Sequence, residues 1–403
     1  ARPSPPPRHR RRAPTRGRLD VLPTCRNLTT VDPRGVPTPT AWVLGRRAAE
    51  AVVERHLQEA GDWPRRLVID LWASSALRTG GDDVAQALAL MGVAPVWDKA
   101  AARITGVEAW PADVLGRPRV DVTVRVSGLF RDVFVEQIRL LDLAARTVAD
   151  LDEPDDVNPL AAARRRDRDL RRVFGSAPGV YGAGAATVAL DADWADRGQI
   201  GAAYLAAGGW AFDGRGEAAA APEAFRDRVG GADALVHGQD DRERDLLDGD
   251  GVADFVGGFA AAAASLGSSP RLYHIDTSDA AAGPRARTLD EELARVVRGR
   301  ACNPRWIRGQ MRHGWRGAAE LAQAVDALYA FAATTDAVRA RQFDLVYERY
   351  VEDDAVRDFL LAANPPAAGA IARRLDDAAR RGLWRPRRNS VTMRLAEMME
   401  AAR

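Results

Sequence analysis

Hydrophobic and polar positions alternate cleanly in one stretch of this chain. Val120, Val122, Val124 and Val126 point one way, and Asp121, Thr123 and Arg125 the other. That two-residue period predicts a half-buried strand. Leu67–Trp72 and Ala234–Val236 are short, continuous apolar runs that read as buried strands, and Ala94–Trp97 and Leu272–Ile275 read as further short ones. Helical spacing lies between them. Trp42, Ala49, Val52, Val53 and His56 follow Thr40 as an N-cap. Residues 73–83 read as a loop with Gly80 and Gly81, after which Asp82 caps a helix Val84–Met91 that Gly92 stops. Val135–Leu151 places Ile138, Leu141 and Ala145 on one face. Strand–helix–strand order predicts an α/β layer with part of its sheet parallel. From Thr288 onward the pattern is helical. Ala318, Leu321, Ala322, Val325, Leu328, Tyr329 and Ala332 form one stripe, and further helices are expected near Phe343–Tyr350, Ala355–Ala363 and Pro366–Arg381. The expected fold class is α/β, mixed α+β in character: short, partly parallel sheets flanked by helices, with a helical C-terminal region.

At 403 residues the chain exceeds one hydrophobic core. Four regions are expected: a disordered Pro/Arg-rich tail at 1–18, an α/β domain at 19–151, a second α/β region at 152–287, and a helical region at 288–403. Leu19–Pro39 reads as an extended loop. Leu151–Pro159 is an acidic, proline-bounded joint, and Arg164–Arg172 continues it on a helix. The glycine-rich stretch Gly175–Gly184 lacks the Lys-Ser/Thr of a phosphate loop and the spacing of a dinucleotide fingerprint. It suits close backbone approach to a flat ligand.

Charge narrows the function. Lys and Arg total 58 against 56 Asp and Glu, for a net charge of +2. A nucleic-acid binder would carry a one-sided basic excess. Lys99 is the only lysine, so the cationic groups are almost all forked guanidiniums suited to carboxylates and amides. Cys25 and Cys302 form no CxxC pair, which fits a reducing compartment and a cytoplasmic location. No apolar run reaches membrane-spanning length. The chain begins at Ala1 and reads as a piece of a longer protein or a processed start.

Candidate chemistry concentrates in Ala234–Asp248, where the strand Ala234–Val236 leads into a charged run that a helical pattern follows. Side chains at a strand end, ahead of a helix, sit where α/β sheets bind ligands. His237, Asp240, Glu243 and Asp245 can carry protons, and His237 with Glu243 can hold a divalent cation transiently. The same residues also suit a solvated loop that caps the next helix. His274 and His313 are secondary candidates. Arg78 and Arg131 can grip amides and carboxylates, and Trp72, Tyr181 and Trp210 can stack on a flat ring. Salt bridging and core packing are the plain alternatives for each.

A series of motifs in order carries a family resemblance: Thr15–Pro23, Pro37–Trp42, Arg78–Gly92, Leu115–Thr123, Ser127–Asp132, Phe174–Gly179, Asn303–Ile307, Met311–Gly314 and Gly382–Asn389. With these the chain resembles the C-terminal third of the cobaltochelatase large subunit, CobN type, a family shared with the large subunit of magnesium chelatase. The Arg-Thr-Gly-Gly-Asp-Asp and Met-Arg-His-Gly versions look like the cobalt branch. The resemblance implies ATP-dependent insertion of Co²⁺ into hydrogenobyrinic acid a,c-diamide in aerobic cobalamin synthesis. It implies ATP hydrolysis on partner AAA+ motor subunits, with no nucleotide on this chain. Arg78, Arg131, Tyr181, His274 and His313 are the candidate substrate contacts for such a macrocycle. The family pattern around His237 looks like His-Asn-Gln-Asp-x-Arg-Glu-His-Asp. Gly238 replaces its asparagine and Arg244 its second histidine. A non-catalytic tetrapyrrole- or motor-docking module and a magnesium-protoporphyrin chelatase are the alternatives. Convergence of the His237–Asp245 side chains on one cavity separates catalysis from docking.

Overall fold

The computed structural model describes residues 32–403 except 99, 101, 167, 168 and 192. The tail at 1–18, most of the loop Leu19–Pro39 and Cys25 lie outside the described residues. The strands are β1 (Arg66–Leu71), β2 (Val93–Trp97), β3 (Ile104–Ala109), β4 (Asp121–Val126), β5 (Val173–Gly175), β6 (Trp210–Phe212), β7 (Ala218–Ala220), β8 (Ala234–Gln239), β9 (Arg271–Asp276) and β10 (Arg285–Thr288). Eight of them make one sheet, in the order β10-β9-β8-β1-β4-β5-β6-β7, while β2 and β3 form a separate hairpin. From β9 through β8, β1 and β4 to β5 every pairing is parallel. The pairs β9–β10, β5–β6 and β6–β7 are antiparallel. Strands from 19–151 and from 152–287 are thus hydrogen-bonded neighbours within one sheet.

Helices cover both faces, as a largely parallel sheet requires. On one face Leu67, Ile69, Val122, Val124 and Val236 pack under helices Pro39–Ala60, Asp82–Met91 and Val135–Ala149. On the other, Val68, Leu235 and Phe174 meet helices Arg197–Gly208, Gly258–Ser265 and Gly314–Thr334. The apolar stripe predicted on Gly314–Thr334 is buried there. Thr288 and Glu291 close a reciprocal capping box that starts the C-terminal helices.

Several local expectations change. β4 is buried at every position rather than on one face, because the second-half helices cover its polar side. Residues 73–83 are not all loop: Ala73 and Ala76 are buried on a helix Ala73–Thr79, which ends at left-handed Gly80 (φ 77°). The helix carrying Arg164 ends at Arg165, since Arg172 is drawn to β5 by a buried partner. β8 runs on to Gln239, residues 240–250 form a loop, and the helix expected after this charged run begins at Gly251.

That buried partner is Asp121, the first residue of β4. It is 1% exposed and takes Arg172 through both of its oxygens and Arg228 at 2.7 Å. Burial alone would raise its pKa; the Arg228 and Arg172 guanidiniums overcome this and hold the carboxyl well below the usual range. Arg228 also donates to Thr123 at 2.6 Å, so helix Pro222–Gly230 serves both Asp121 and Thr123 of β4. Removing the charge leaves two guanidiniums buried and unpaired. Asp121→Asn is therefore expected to cost about 3–5 kcal/mol in denaturant unfolding at neutral pH. Because the folded pKa is depressed, the contribution is present above the unfolded carboxylate pKa and is lost in strong acid. The gap between the two proteins should narrow there.

Candidate functional site

Parallel register draws distant residues into one line across the sheet. Asp70 of β1 is paired with Arg125 of β4, and His237 of β8 with His274 of β9. The β1–β8 ladder pairs Ile69 with Val236, so the next position sets Asp70 beside His237. Phe174 of β5 and Arg287 of β10 continue the row on either side. Register partners on parallel strands point to the same face. The chain leaves β1 towards β4 and leaves β8 towards β9, so the C-terminal ends of β1 and β8 flank a switch point, where open α/β sheets bind ligands.

At that point Asp70 Oδ2 lies 2.7 Å from His237 Nδ1 and accepts the Trp72 indole N–H at 3.0 Å. Asp70 is 2% exposed and His237 5%. A carboxylate on Nδ1 fixes the tautomer that carries its proton there. Nε2 is left with its lone pair for the cleft that His237 lines. Trp72 stands edge-on to the imidazole (6.4 Å between ring centres) and packs on Phe255 (4.7 Å). Behind the pair, Arg125 is fully buried among Tyr204, Phe225 and Phe255, its charge 5.1 Å from the Phe255 ring centre.

The cleft holds about 190 Å³. Arg78 crosses it to grip Asp240 through two bonds of 2.8 Å each, and this pairing raises the guanidinium pKa. Asp245 is held through both oxygens by Arg300, whose guanidinium stacks 4.9 Å from the Trp306 ring centre. Asp240, Asp241, Asp245 and Asp248 line the cleft together with Arg78 and Arg244, a net negative wall. Beneath Arg78, Asp83 is enclosed at the start of helix Asp82–Met91, and burial pushes its pKa up to about 7.

The structure therefore gathers His237, Asp240, Asp245 and Arg78 into one cleft. Glu243 is exposed on the loop and does not line it. Among the described residues no three His, Cys, Asp or Glu side chains are grouped to hold a metal ion. His313 is exposed at the turn between helices Pro304–Met311 and Gly314–Thr334. Trp210 lies on β6, away from the cleft. Arg131 and Tyr181 form a second cluster at the glycine-rich loop. Asp70 and Arg125 were missed as candidates. The signal for Asp70 was a lone acid inside the apolar run Leu-Val-Ile-Asp-Leu-Trp; for Arg125 none was legible, because strand alternation assigned it to solvent.

His274 sits behind His237, with ring centres 5.8 Å apart, 1% exposed, and neither nitrogen finds a partner. Burial, and then the neighbouring His237, press its pKa well below the ordinary imidazole value. The native state therefore holds it neutral. Its contribution is complete above the unfolded imidazole pKa and is lost as the pH falls, by up to ~1.4 kcal/mol per pH unit. His274→Phe should show a shallower loss of stability between pH 7 and pH 5 than the unmodified chain, read from denaturant midpoints. Parallel losses would place the acid sensitivity elsewhere.

The CobN/Magnesium Chelatase family model matches residues 9–391. The chain is 46% identical to the aerobic cobaltochelatase subunit CobN of Sinorhizobium sp, over 97% of this chain and 32% of that protein. It is also 46% identical to the subunit of the same name in Pseudomonas aeruginosa, over 92% and 31%. Magnesium-chelatase H subunits stand at 29–31% identity. The solved catalytic subunit of cobaltochelatase from Mycobacterium tuberculosis superposes with a TM-score of 0.90 at 37% identity, covering 93% of this chain and 33% of that one. The chain spans about a third of the length of the curated relatives it matches. With the family model extending over nearly all of its residues, the chain belongs to the CobN/magnesium chelatase family.

Proposed function

We propose that this chain is the C-terminal part of the tetrapyrrole-holding, catalytic subunit of an aerobic cobaltochelatase. The subunit inserts Co²⁺ into hydrogenobyrinic acid a,c-diamide in cobalamin synthesis, in the cytoplasm. ATP is hydrolysed on AAA+ motor subunits that assemble with it; the absence of a phosphate-loop motif in this sequence supports that division. The cobalt branch is favoured over magnesium by 46% identity against about 30%.

One observation carries the reading: the Asp70–His237 pair at the switch point of the sheet. Insertion must strip water from Co²⁺ and take protons from ring N–H groups. His237, oriented by Asp70, offers Nε2 as the base, and the Asp70 carboxylate stabilises the imidazolium that forms. Nε2 is also a natural first ligand for the incoming cobalt ion. The carboxylates of the cleft favour entry of a hydrated dication, and Arg78 keeps Asp240 in place beside the path. A cleft of about 190 Å³ is too small to enclose a tetrapyrrole. The ring therefore lies across its mouth, and other parts of the complex cover the exposed side.

The test is Co²⁺ insertion by the assembled chelatase, followed by the absorbance of the macrocycle. His237→Asn should slow insertion by about 10²-fold or more, with tetrapyrrole binding retained. Asp70→Asn should cost about 10- to 100-fold through the lost orientation of the imidazole. Insertion at the unmodified rate by His237→Asn would instead assign this region a docking role.

A further inference from the structure

We infer that Tyr181 is a fixed stacking platform for the flat face of the tetrapyrrole, and that Gly128, Arg131 and Asp132 exist to hold it. The inference rests on the function proposed above and deepens it. Tyr181 is 64% exposed, an exposure at which an aromatic side chain is ordinarily free to turn. Here it is tied at two points. Its hydroxyl donates to Asp132 Oδ2 at 2.8 Å, and the Arg131 guanidinium carbon lies 5.4 Å from the ring centre. Arg131 is itself immobile. It donates to both Asp132 oxygens and, through one nitrogen, to the carbonyls of Ser176, Ala177 and Val180. Gly128 makes the room: a Cβ there would sit 2.5 Å from Tyr181 Cδ1. Two separate motifs, Ser127–Asp132 and Phe174–Gly179, thus converge on holding one exposed ring.

Such an arrangement leaves a ring face open and already ordered. A preordered aromatic binds a flat conjugated partner without first giving up rotamer freedom. The surroundings suit an apolar plane, since Val180 precedes Tyr181, and Leu129 and Val133 lie on the helix Gly128–Val133 that holds it, at 48%, 49% and 39% exposure. The platform stands at the same edge of the sheet as the cleft: Ser127, just before Gly128, donates its backbone N–H to the carbonyl of Leu71, next to Trp72. Just past Tyr181, Ala183 and Ala186 donate their backbone N–H groups to Asp254. The next residue, Phe255, packs on Trp72, and Gly251 and Val252 complete that wall of the cleft. The glycine-rich loop is thus tied through Asp254 to the segment that packs on Trp72 of the cleft. A macrocycle too large for the cleft can rest on Tyr181 while its centre meets His237. Arg131, expected as a direct grip on substrate, is a positioning residue in this arrangement.

The experiment is a titration of metal-free hydrogenobyrinic acid a,c-diamide into the assembled chelatase, followed by its absorbance. Three variants stand beside the unmodified protein: Tyr181→Ala, Tyr181→Phe and Gly128→Val. Stacking of this kind predicts a Kd about tenfold higher for Tyr181→Ala. Gly128→Val should weaken binding in the same direction by displacing the ring. Tyr181→Phe, which keeps the ring and loses one tie, should fall between Tyr181→Ala and the unmodified protein. The inference is overturned if Tyr181→Ala binds like the unmodified protein, or if it loses subunit assembly and not ring binding, which would make the patch a protein contact. If the unmodified complex binds no tetrapyrrole, the proposed function itself falls, a result distinct from either of these.

Discussion

Strand register decides what this molecule can do. Asp70 and His237 are separated by 167 residues, yet they meet at 2.7 Å because β1 and β8 run parallel and in step. Side chains alternate along a strand, so slipping β8 by one residue would turn His237 into the apolar layer under the first-half helices. Val68 and Leu235, two positions earlier on the same face, fix the register by burying completely against the second-half helices. The apolar pattern that builds the sheet also aims the imidazole. A carboxylate so deeply buried is costly unless hydrogen-bonded. Asp70 offsets that cost with bonds from Trp72 and His237, and with the buried Arg125 on its other flank.

The cleft is then closed by ion pairs that bring distant segments together. Arg78 reaches from the helix after β1 to Asp240 after β8. Arg300 reaches from the C-terminal helical region to Asp245. With both oxygens engaged, Asp240 and Asp245 brace loop 240–250 and are weaker candidates for proton transfer than His237. Asp254 performs the same service for the glycine-rich loop, and Arg131 braces it from the other side. In the proposed function the chemistry falls to a histidine–aspartate pair, and the surrounding charges hold the walls of the cleft.

Much of this was legible in the sequence, for physical reasons that differ by element. The apolar runs at Leu67–Trp72 and Ala234–Val236 announced the central strands because burial on both faces leaves few polar positions. His237 was legible because it interrupts such a run at its end. Asp70 was equally anomalous but lies inside the run, and only the strand partner, 167 residues away, reveals its use. Alternation misassigned Asp121, Thr123 and Arg125 to solvent, since a single strand cannot show that Arg172 and Arg228 will arrive to satisfy it. Glu243 looked like a ligand because it lies close to His237 in the charged run ahead of the next helix. The chain forms a loop there, which turns that side chain outward. The clustering of Ser127–Asp132 with Phe174–Gly179 was invisible for the same reason as Asp70: it is a contact between distant stretches.

The most direct measurement is the structure of the assembled chelatase with metal-free tetrapyrrole bound. The account predicts the macrocycle across the mouth of the cleft between β1 and β8. His237 Nε2 should face the central nitrogens, and Asp70 should remain on Nδ1. A macrocycle bound elsewhere, with His237 turned from it or separated from Asp70, would contradict the account.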